Sequence, residues 1–228
     1  MKKTVLITGG NKGIGLETTK IFVALGYVVI VVARDFSDFE DHTSVQKIEF
    51  DLTKVDEIPM LVTSLPPIDI LINNAGVMYS IPHHSYTPKK IDSMMKLNLH
   101  APIKLIEEVT KKMPLGGRIV NNASIAGQIG HPDIWYGMTK AALINATKSF
   151  SKIFEGKIII NAVAPSPVET DMLDVIPKER QEAFLKSVIT KRFAHPQEIA
   201  KTMVWLATES PEYINGSVID INNGSFPR

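Results

Sequence analysis

Cysteine is absent from the 228-residue chain. That excludes disulfides, thiolate nucleophiles and cysteine-based zinc sites. A surplus of charge of one sign is also lacking: 25 Lys and Arg face 24 Asp and Glu, for a formal net charge of +1. Neither nucleic acid nor an anionic membrane is therefore expected as a partner. No apolar run approaches the ~20 residues of a membrane span. The N-terminal run Val5-Leu6-Ile7 is cut at once by Thr8-Gly9-Gly10, too short for an export segment, so the expected location is the cytoplasm. No two of the six histidines have the spacing of a helical zinc site, and no metal is expected. What remains is 44% hydrophobic, enough for a real core, and residues 1–228 have the size of one α/β domain.

Short β-branched runs alternate with longer stretches of helical period. Strands are expected at Thr4–Thr8, Tyr27–Ala33, Val45–Phe50, Asp69–Asn73, Arg118–Asn122, Lys157–Val163 and Ser217–Ile221. Helices are expected at Ile14–Leu25, Pro88–Lys112, Ile134–Phe154 and Pro196–Thr208. Pro102 should kink the second of these. Strands apolar on both faces and separated by helices imply an α/β fold: a Rossmann-type, doubly wound parallel sheet of about seven strands with helices on both faces. Between Ala33 and Val45 the link is close to the ~10–12-residue minimum for a parallel crossover, so a turn or one irregular helical turn is expected there.

Thr8-Gly9-Gly10-Asn11-Lys12-Gly13-Ile14-Gly15 lies between the first strand and the first helix. Glycines there let the backbone approach a pyrophosphate, and the helix N-terminus offers free N–H groups to it. The spacing is G-x-x-x-G-x-G rather than the commoner G-x-G-x-x-G. Asp51-Leu52 and Asn73-Asn74-Ala75-Gly76 also follow strands, where open α/β sheets bind ligands.

Tyr136-Gly137-Met138-Thr139-Lys140 opens the long helix. Residues four apart share a helical face, so phenol and ammonium can enter one cleft. A nearby cation is expected to lower the phenol pKa and make Tyr136 a general acid/base. Ser124, just after the fifth strand, can hold a substrate carbonyl.

The set Thr8-Gly9-x-x-x-Gly13-x-Gly15, Asn73-Asn74-Ala75-Gly76, Asn98, Ser124, Tyr136-x-x-x-Lys140 and Asn161-Ala162-Val163-Ala164-Pro165 resembles the short-chain dehydrogenase/reductase family. The likeness runs in order over nearly the whole chain and extends to Tyr213-Ile214-Asn215-Gly216. It implies hydride transfer between a nicotinamide dinucleotide and a carbonyl or alcohol. By resemblance Tyr136 is the acid/base, Lys140 lowers its pKa and binds the nicotinamide ribose, Ser124 anchors the carbonyl, and Asn98 holds a water in the proton relay. Thr8, Gly9, Asn11, Lys12, Gly13, Ile14, Gly15, Asp51, Leu52, Asn74, Ala75 and Gly76 correspond to cofactor contacts, as do Pro165, Val168 and Thr170. Three departures stand out: the short link after the second strand, a Ser124–Tyr136 interval one residue shorter than is common, and Pro165-Ser166 where Pro-Gly is usual.

Arg34, following Ala33 where NAD-preferring relatives carry an acid, and Lys12 point to NADP(H), similar to NADPH-dependent carbonyl and 3-oxoacyl reductases of the family. NAD(H) stays open, because Asp35 could take the ribose instead and Asp38, Glu40 and Asp41 could neutralise Arg34. A homo-oligomer, as a tetramer, is implied by resemblance and by the apolar content of the long helices. Residues 171–195 read as a substrate lid. Its cations Lys178, Arg180, Lys186, Lys191 and Arg192 fit either an anionic carrier such as an acyl-carrier protein or a solvated face. Met78, Ile125, Ile129, Trp135, Met172 and Phe193 are candidate substrate neighbours, matching a ketone or aldehyde with an apolar body. The competing function is a cofactor sensor with no turnover.

Overall fold

The computed structural model describes residues 2–37, 39 and 42–227. Seven strands form one parallel sheet: β1 (Thr4–Thr8), β2 (Val28–Ala33), β3 (Val45–Glu49), β4 (Ile70–Asn73), β5 (Gly117–Asn122), β6 (Ile158–Pro165) and β7 (Val218–Ile221). Their spatial order is β3-β2-β1-β4-β5-β6-β7, the reversal beside β1 that defines a doubly wound, Rossmann-type sheet.

Alternation along the central strands explains the layers. Leu6, Ile30, Val32 and Leu71 face one core, completed by α2 (Ile58–Thr63) and α4 (Ala101–Val109). Their neighbours Val5, Ile7, Val29, Val31, Ile70 and Ile72 face the other, beneath α1 (Gly13–Ala24) and α8 (Pro196–Thr208). A strand buried on both faces has no polar side to tolerate, hence the continuous Val and Ile runs. Phe22 of α1 and Met203 of α8 are wholly buried on that second face.

Two local features depart from the sequence reading, and a third agrees with the helical period of residues 171–195. First, no element is expected between β3 and β4, yet a short 3₁₀ turn at Val55–Glu57 runs into α2, which buries Ile58, Leu61 and Val62. Second, the expected single helix at Pro88–Lys112 is α3 (Pro88–Met95), a π turn over Lys96–His100, then α4. The Ala101 N–H returns to the Lys96 carbonyl five residues back. Pro102 comes next and has no N–H to return to Leu97 or Asn98, so the ladder slips there rather than simply kinking. Third, the stretch 171–195 holds two helices, α6 (Asp171–Asp174) and α7 (Lys178–Ser187).

After β2 the chain turns without a helix among the described residues. Ser37 donates from its N–H and hydroxyl to the Asp35 carboxylate at 2.8 and 2.9 Å. Asp38, Glu40 and Asp41 lie outside the described residues. No helix among those described is long and apolar enough to cross a membrane. At the opposite, amino edge of the sheet, Gly26, Gly116 and Gly156 turn the chain from helix to strand at φ +80°, +77° and +79°. A methyl group on any of them would meet nothing within 4 Å.

Two in-register asparagine pairs lock the carboxyl edge. Asn73 faces Asn121 across β4 and β5, and its amide donates to the Asn121 oxygen at 2.9 Å. Asn121 in turn donates to Thr147 of the long helix α5 (Ile134–Ile153) at 2.9 Å. One residue on, Asn122 donates to the Asn74 oxygen at 2.9 Å. On the far side, Asn161 holds the turn before β7 by accepting from Ser217 N–H and donating to the Ile214 carbonyl.

Replacing Asn121 by Ala strips partners from both Asn73 and Thr147 in a fully buried place. Stability should fall by about 2–4 kcal/mol, read from urea midpoints, because buried polar groups left unpaired bear their full desolvation cost.

Candidate active site

Four chain segments meet at the carboxyl edge between β1 and β5. The first is the glycine-rich loop. Gly9 turns at φ +63° and Gly13 at +53°, conformations costly for other residues. A Cβ on Gly15 would sit 2.0 Å from the Gly9 carbonyl oxygen, and one on Gly9 would sit 3.1 Å from Ala75 Cα. The loop is thus folded back on itself and on the segment after β4, with Gly9 and Gly13 half-buried and Gly15 buried.

Thr8 and Asn74 hold it there. The Thr8 hydroxyl accepts the N–H groups of Asn74 and Ala75 at 2.9 and 3.0 Å. The Asn74 amide donates to the Thr8 and Gly9 carbonyls at 3.2 and 3.1 Å. Both side chains are spent on shaping the loop. Asn11 donates to the Asp35 carbonyl at 2.9 Å and so ties the loop to the end of β2. Arg34 stands exposed at that end. Lys12 is placed elsewhere: its ammonium pairs with Asp171 at the start of α6, at 2.8 Å. The residue before α6 and the loop also meet: a Cβ on Gly13 would lie 3.1 Å from the Thr170 methyl.

Further along the edge, Asp51 accepts from Thr53 N–H and hydroxyl at 3.0 and 2.9 Å. Burial pushes its carboxyl up, but the Thr53 donors and the nearby Arg34 and Lys54 outweigh it and hold the pKa below the usual range. The Leu52 side chain is buried in the core, so only its backbone can face a ligand. Ile14 packs partly buried under α8. Val168 is buried beside its bridge partner Ala194, and the Pro165 carbonyl lies 3.5 Å from the Ser124 hydroxyl.

Tyr136, Lys140, Ser124 and Asn98 come together. Asp133 caps α5 by accepting the Tyr136 N–H at 3.1 Å, which orients the first turn. One turn later Lys140 places its ammonium 5.7 Å from the Tyr136 ring centroid and donates to the Asn122 carbonyl at 2.7 Å. Ser124 is buried and receives the Ala126 N–H at 3.1 Å. Asn98 accepts the Val77 N–H and donates to the Val77 carbonyl, both at 2.8 Å, and reaches Thr139 at 3.3 Å. Its amide is therefore a clamp between π turn, strand exit and α5. Gly76 fills the gap: a Cβ there would lie 3.4 Å from Asn98 Oδ1 and 3.7 Å from Lys140 Nζ.

The electrostatics differ from the sequence expectation. Burial pushes the Tyr136 phenol up to about 12, a hydrogen bond with Ser124 works against it, and the Asp133 charge adds to it. Desolvation of the phenolate outweighs any help from Lys140, whose own burial brings its ammonium down to about 8. An apolar wall adjoins the pair: Met78, Ala126 and Tyr136 pack with Tyr79, Trp135, Met172 and Ile176. Of the other candidate neighbours, Ile125 is buried, Ile129 is 37% exposed and Phe193 stacks on Phe184 of α7. Sequence reasoning passed over His131 and Asp133. The His131 ring lies 5.7 Å from that of Tyr136, and Asp133 is fully buried. The one available signal was an acid at the N-cap position of a long helix.

Which residues fit a dinucleotide follows from this shape. A backbone without side chains at Gly9, Gly13 and Gly15 can receive a pyrophosphate, and Gly76 leaves Lys140 open to a ribose. Gly15→Ala should weaken nicotinamide-dinucleotide binding at least ~10-fold by calorimetry, because the added carbon collides with backbone rather than a movable side chain. Lys140 generates a second prediction. Its folded pKa is depressed, so between about 8 and its ordinary value the unfolded chain binds a proton the native state does not. Stability from this group then rises with pH through that window. The difference in urea stability between wild type and Lys140→Met should shift toward wild type between neutral pH and pH ~10.

Known proteins bear on the whole chain. A family model described as enoyl-(acyl carrier protein) reductase matches residues 9–225. A 3-oxoacyl-[acyl-carrier-protein] reductase of Rickettsia felis is 32% identical, over 97% of this chain and 96% of its own. An acetoacetyl-CoA reductase of Shinella zoogloeoides is 31% identical over 99% of each. Among solved structures, a 4-hydroxyisoleucine dehydrogenase complexed with NADH superposes with a TM-score of 0.92 at 26% identity, covering 98% of both chains. An angucycline C-6 ketoreductase with bound NADP does so at 0.86 and 29% identity, over 98% of this chain and 95% of its own. Fold, matched length and these relatives agree: the chain belongs to the short-chain dehydrogenase/reductase family of oxidoreductases, similar to 3-oxoacyl reductases.

Proposed function

We propose that the protein is an NADP(H)-preferring carbonyl reductase in which Tyr136 is the general acid/base. The observation that carries this is the buried convergence of the Tyr136 phenol, the Ser124 hydroxyl and the Lys140 ammonium beside the bare glycine-rich loop. A nicotinamide dinucleotide, when bound, supplies or accepts the hydride.

The residues do the rest. Ser124 donates a hydrogen bond to the substrate carbonyl oxygen. Tyr136, with its phenol held near 12, stays protonated at neutral pH and delivers its proton as negative charge develops on that oxygen. Lys140 stabilises the phenolate left behind and offers N–H donors to the nicotinamide ribose. The Asn98 carbonyl, released from the helical ladder by Pro102, holds a water through which the site recovers its proton. A high phenol pKa favours reduction over oxidation, since an acid is required in one direction and a base in the other.

The reading of cofactor preference rests on Arg34. It is exposed at the end of β2, while the Asp35 carboxylate is occupied by Ser37 and so is a poor partner for a ribose. A guanidinium binds a 2′-phosphate with paired hydrogen bonds. Lys12, in the loop itself and paired with Asp171 only at the exposed surface, can exchange that partner for the phosphate. NAD(H) remains usable at lower efficiency. Residues 1–228 act as one cytoplasmic unit, with 171–195 as the substrate lid. Exposed Ile134, Met138 and Ile153 on α5 support association into a homotetramer.

Tyr136→Phe should keep dinucleotide affinity and lose turnover by ~10²–10⁴-fold; near-normal rates with a good carbonyl substrate would refute the assignment. Wild type should favour NADPH over NADH in kcat/KM, and Arg34→Ala should cut that ratio at least ~10-fold, the worth of a charge-assisted pair. An unchanged ratio would remove Arg34 from the phosphate site.

A further inference from the structure

The lid cations are not alike. Lys178, Lys186, Lys191 and Arg192 are exposed, and Arg192 is neutralised by a two-pronged pair with Glu198 at 2.7 and 2.8 Å. Arg180, on the inner side of α7, is half-buried. Its guanidinium donates to the Ser80 hydroxyl at 2.9 Å and reaches the His131 Nε2 at 3.4 Å. Both partners are uncharged acceptors: burial, and then the Arg180 charge itself, hold the His131 imidazole below its ordinary pKa. Asp133 is bonded to one of these partners, Ser80, but not to Arg180. Its oxygens are already taken by Ser80 N–H at 3.0 Å, Tyr86 hydroxyl at 2.6 Å and Tyr136 N–H at 3.1 Å. Among the described residues no carboxylate forms an ion pair with Arg180. A cation partly withdrawn from water and left without an anion is costly unless a ligand supplies one.

The cradle is built rather than incidental. Ser80 is held at φ +52°, unfavourable for a residue with a side chain, with its N–H on Asp133. Gln181, beside Arg180, fixes α7 to α6 by donating to the carbonyls of Leu173 and Ile176 at 3.1 and 2.8 Å. The His131 ring lies between Arg180 and Tyr136, 5.7 Å from the phenol ring. Arg180 therefore presents its charge at the rim of the apolar wall, across His131 from the acid that protonates the carbonyl.

We propose that Arg180 recognises a carboxylate on the substrate, so that the preferred substrates are short oxo acids rather than neutral ketones or esters. This rests on the reductase reading above. The carboxylate undergoes no bond change: the carbonyl carbon gains the hydride, its oxygen gains the Tyr136 proton, and the anion serves to hold the molecule in register. Two parallel N–H bonds from a planar guanidinium suit a carboxylate, and the fork is worth ~10–100-fold in discrimination when the competing group is uncharged.

The test uses the full chain with NADPH and five compounds: 3-oxobutanoate, 4-oxopentanoate, the methyl ester of each, and 2,3-butanedione as an uncharged reference. In wild type, kcat/KM for at least one acid should exceed that of its ester by ~10-fold or more. Arg180→Gln should erase that preference mainly through KM, leave 2,3-butanedione within about twofold, and Arg180→Lys should restore part of it. Esters turned over as well as acids, or acid and ester falling together in Arg180→Gln, would overturn the assignment while turnover of 2,3-butanedione leaves the reductase reading standing. Failure of wild type on all five would sink both.

Discussion

Lys140 sets the terms for the rest of the site. A buried ammonium must be met by acceptors, and here the Asn122 carbonyl accepts a hydrogen bond from it. That contact fixes the distance between β5 and α5, and with it the positions of Ser124 and Tyr136. Gly76 lies against the same groups: a Cβ there would just touch the Asn98 amide and the ammonium, and would stand between Lys140 and a ligand. Asn98 ties the same place to the π turn, so two helical segments and the ends of two strands answer to one charge. The cost appears as the lowered pKa of the lysine; the gain is a cation held without a counter-carboxylate that would cancel it.

The same logic of withheld partners recurs at the periphery. Arg34 sits beside a carboxylate already occupied by Ser37. Lys12 does have a partner, Asp171, but both groups are largely exposed. Such a pair is worth ~0–1 kcal/mol, so it holds the start of α6 near the loop without locking it there. Strong, buried hydrogen bonds shape the frame, while weak, wet ones lie where ligands must come and go.

The sequence announces the sheet clearly, because strands buried on both faces leave an unbroken apolar record. It announces the glycine loop and the Tyr136–Lys140 pair for a similar reason: their spacing is local. It is silent where geometry depends on register. Nothing in Asn73-Asn74 or Asn121-Asn122 alone says that the two dipeptides face each other across neighbouring strands. Helix α2 escapes notice because it is six residues long with Pro59 near its start, too short for a period to emerge. The direction of the Tyr136 pKa shift was also hidden. Proximity of a cation can be read from an i, i+4 spacing, but the opposing desolvation depends on everything else that closes over the ring. The inward turn of Arg180 is similar: five cations in one segment look equivalent until the fold sorts them.

Gly26, Gly116 and Gly156 lie at the end of the sheet opposite all of this, in left-handed turns with open space around them. They join helices to strands and touch no group of the site. The molecule therefore has a face for attachment. A tether, a fluorophore or a fused domain placed at one of these turns would hold the enzyme by its back, with the carboxyl edge of the sheet directed into solution. New chain ends opened there would leave every site residue on the same side of the sheet as before.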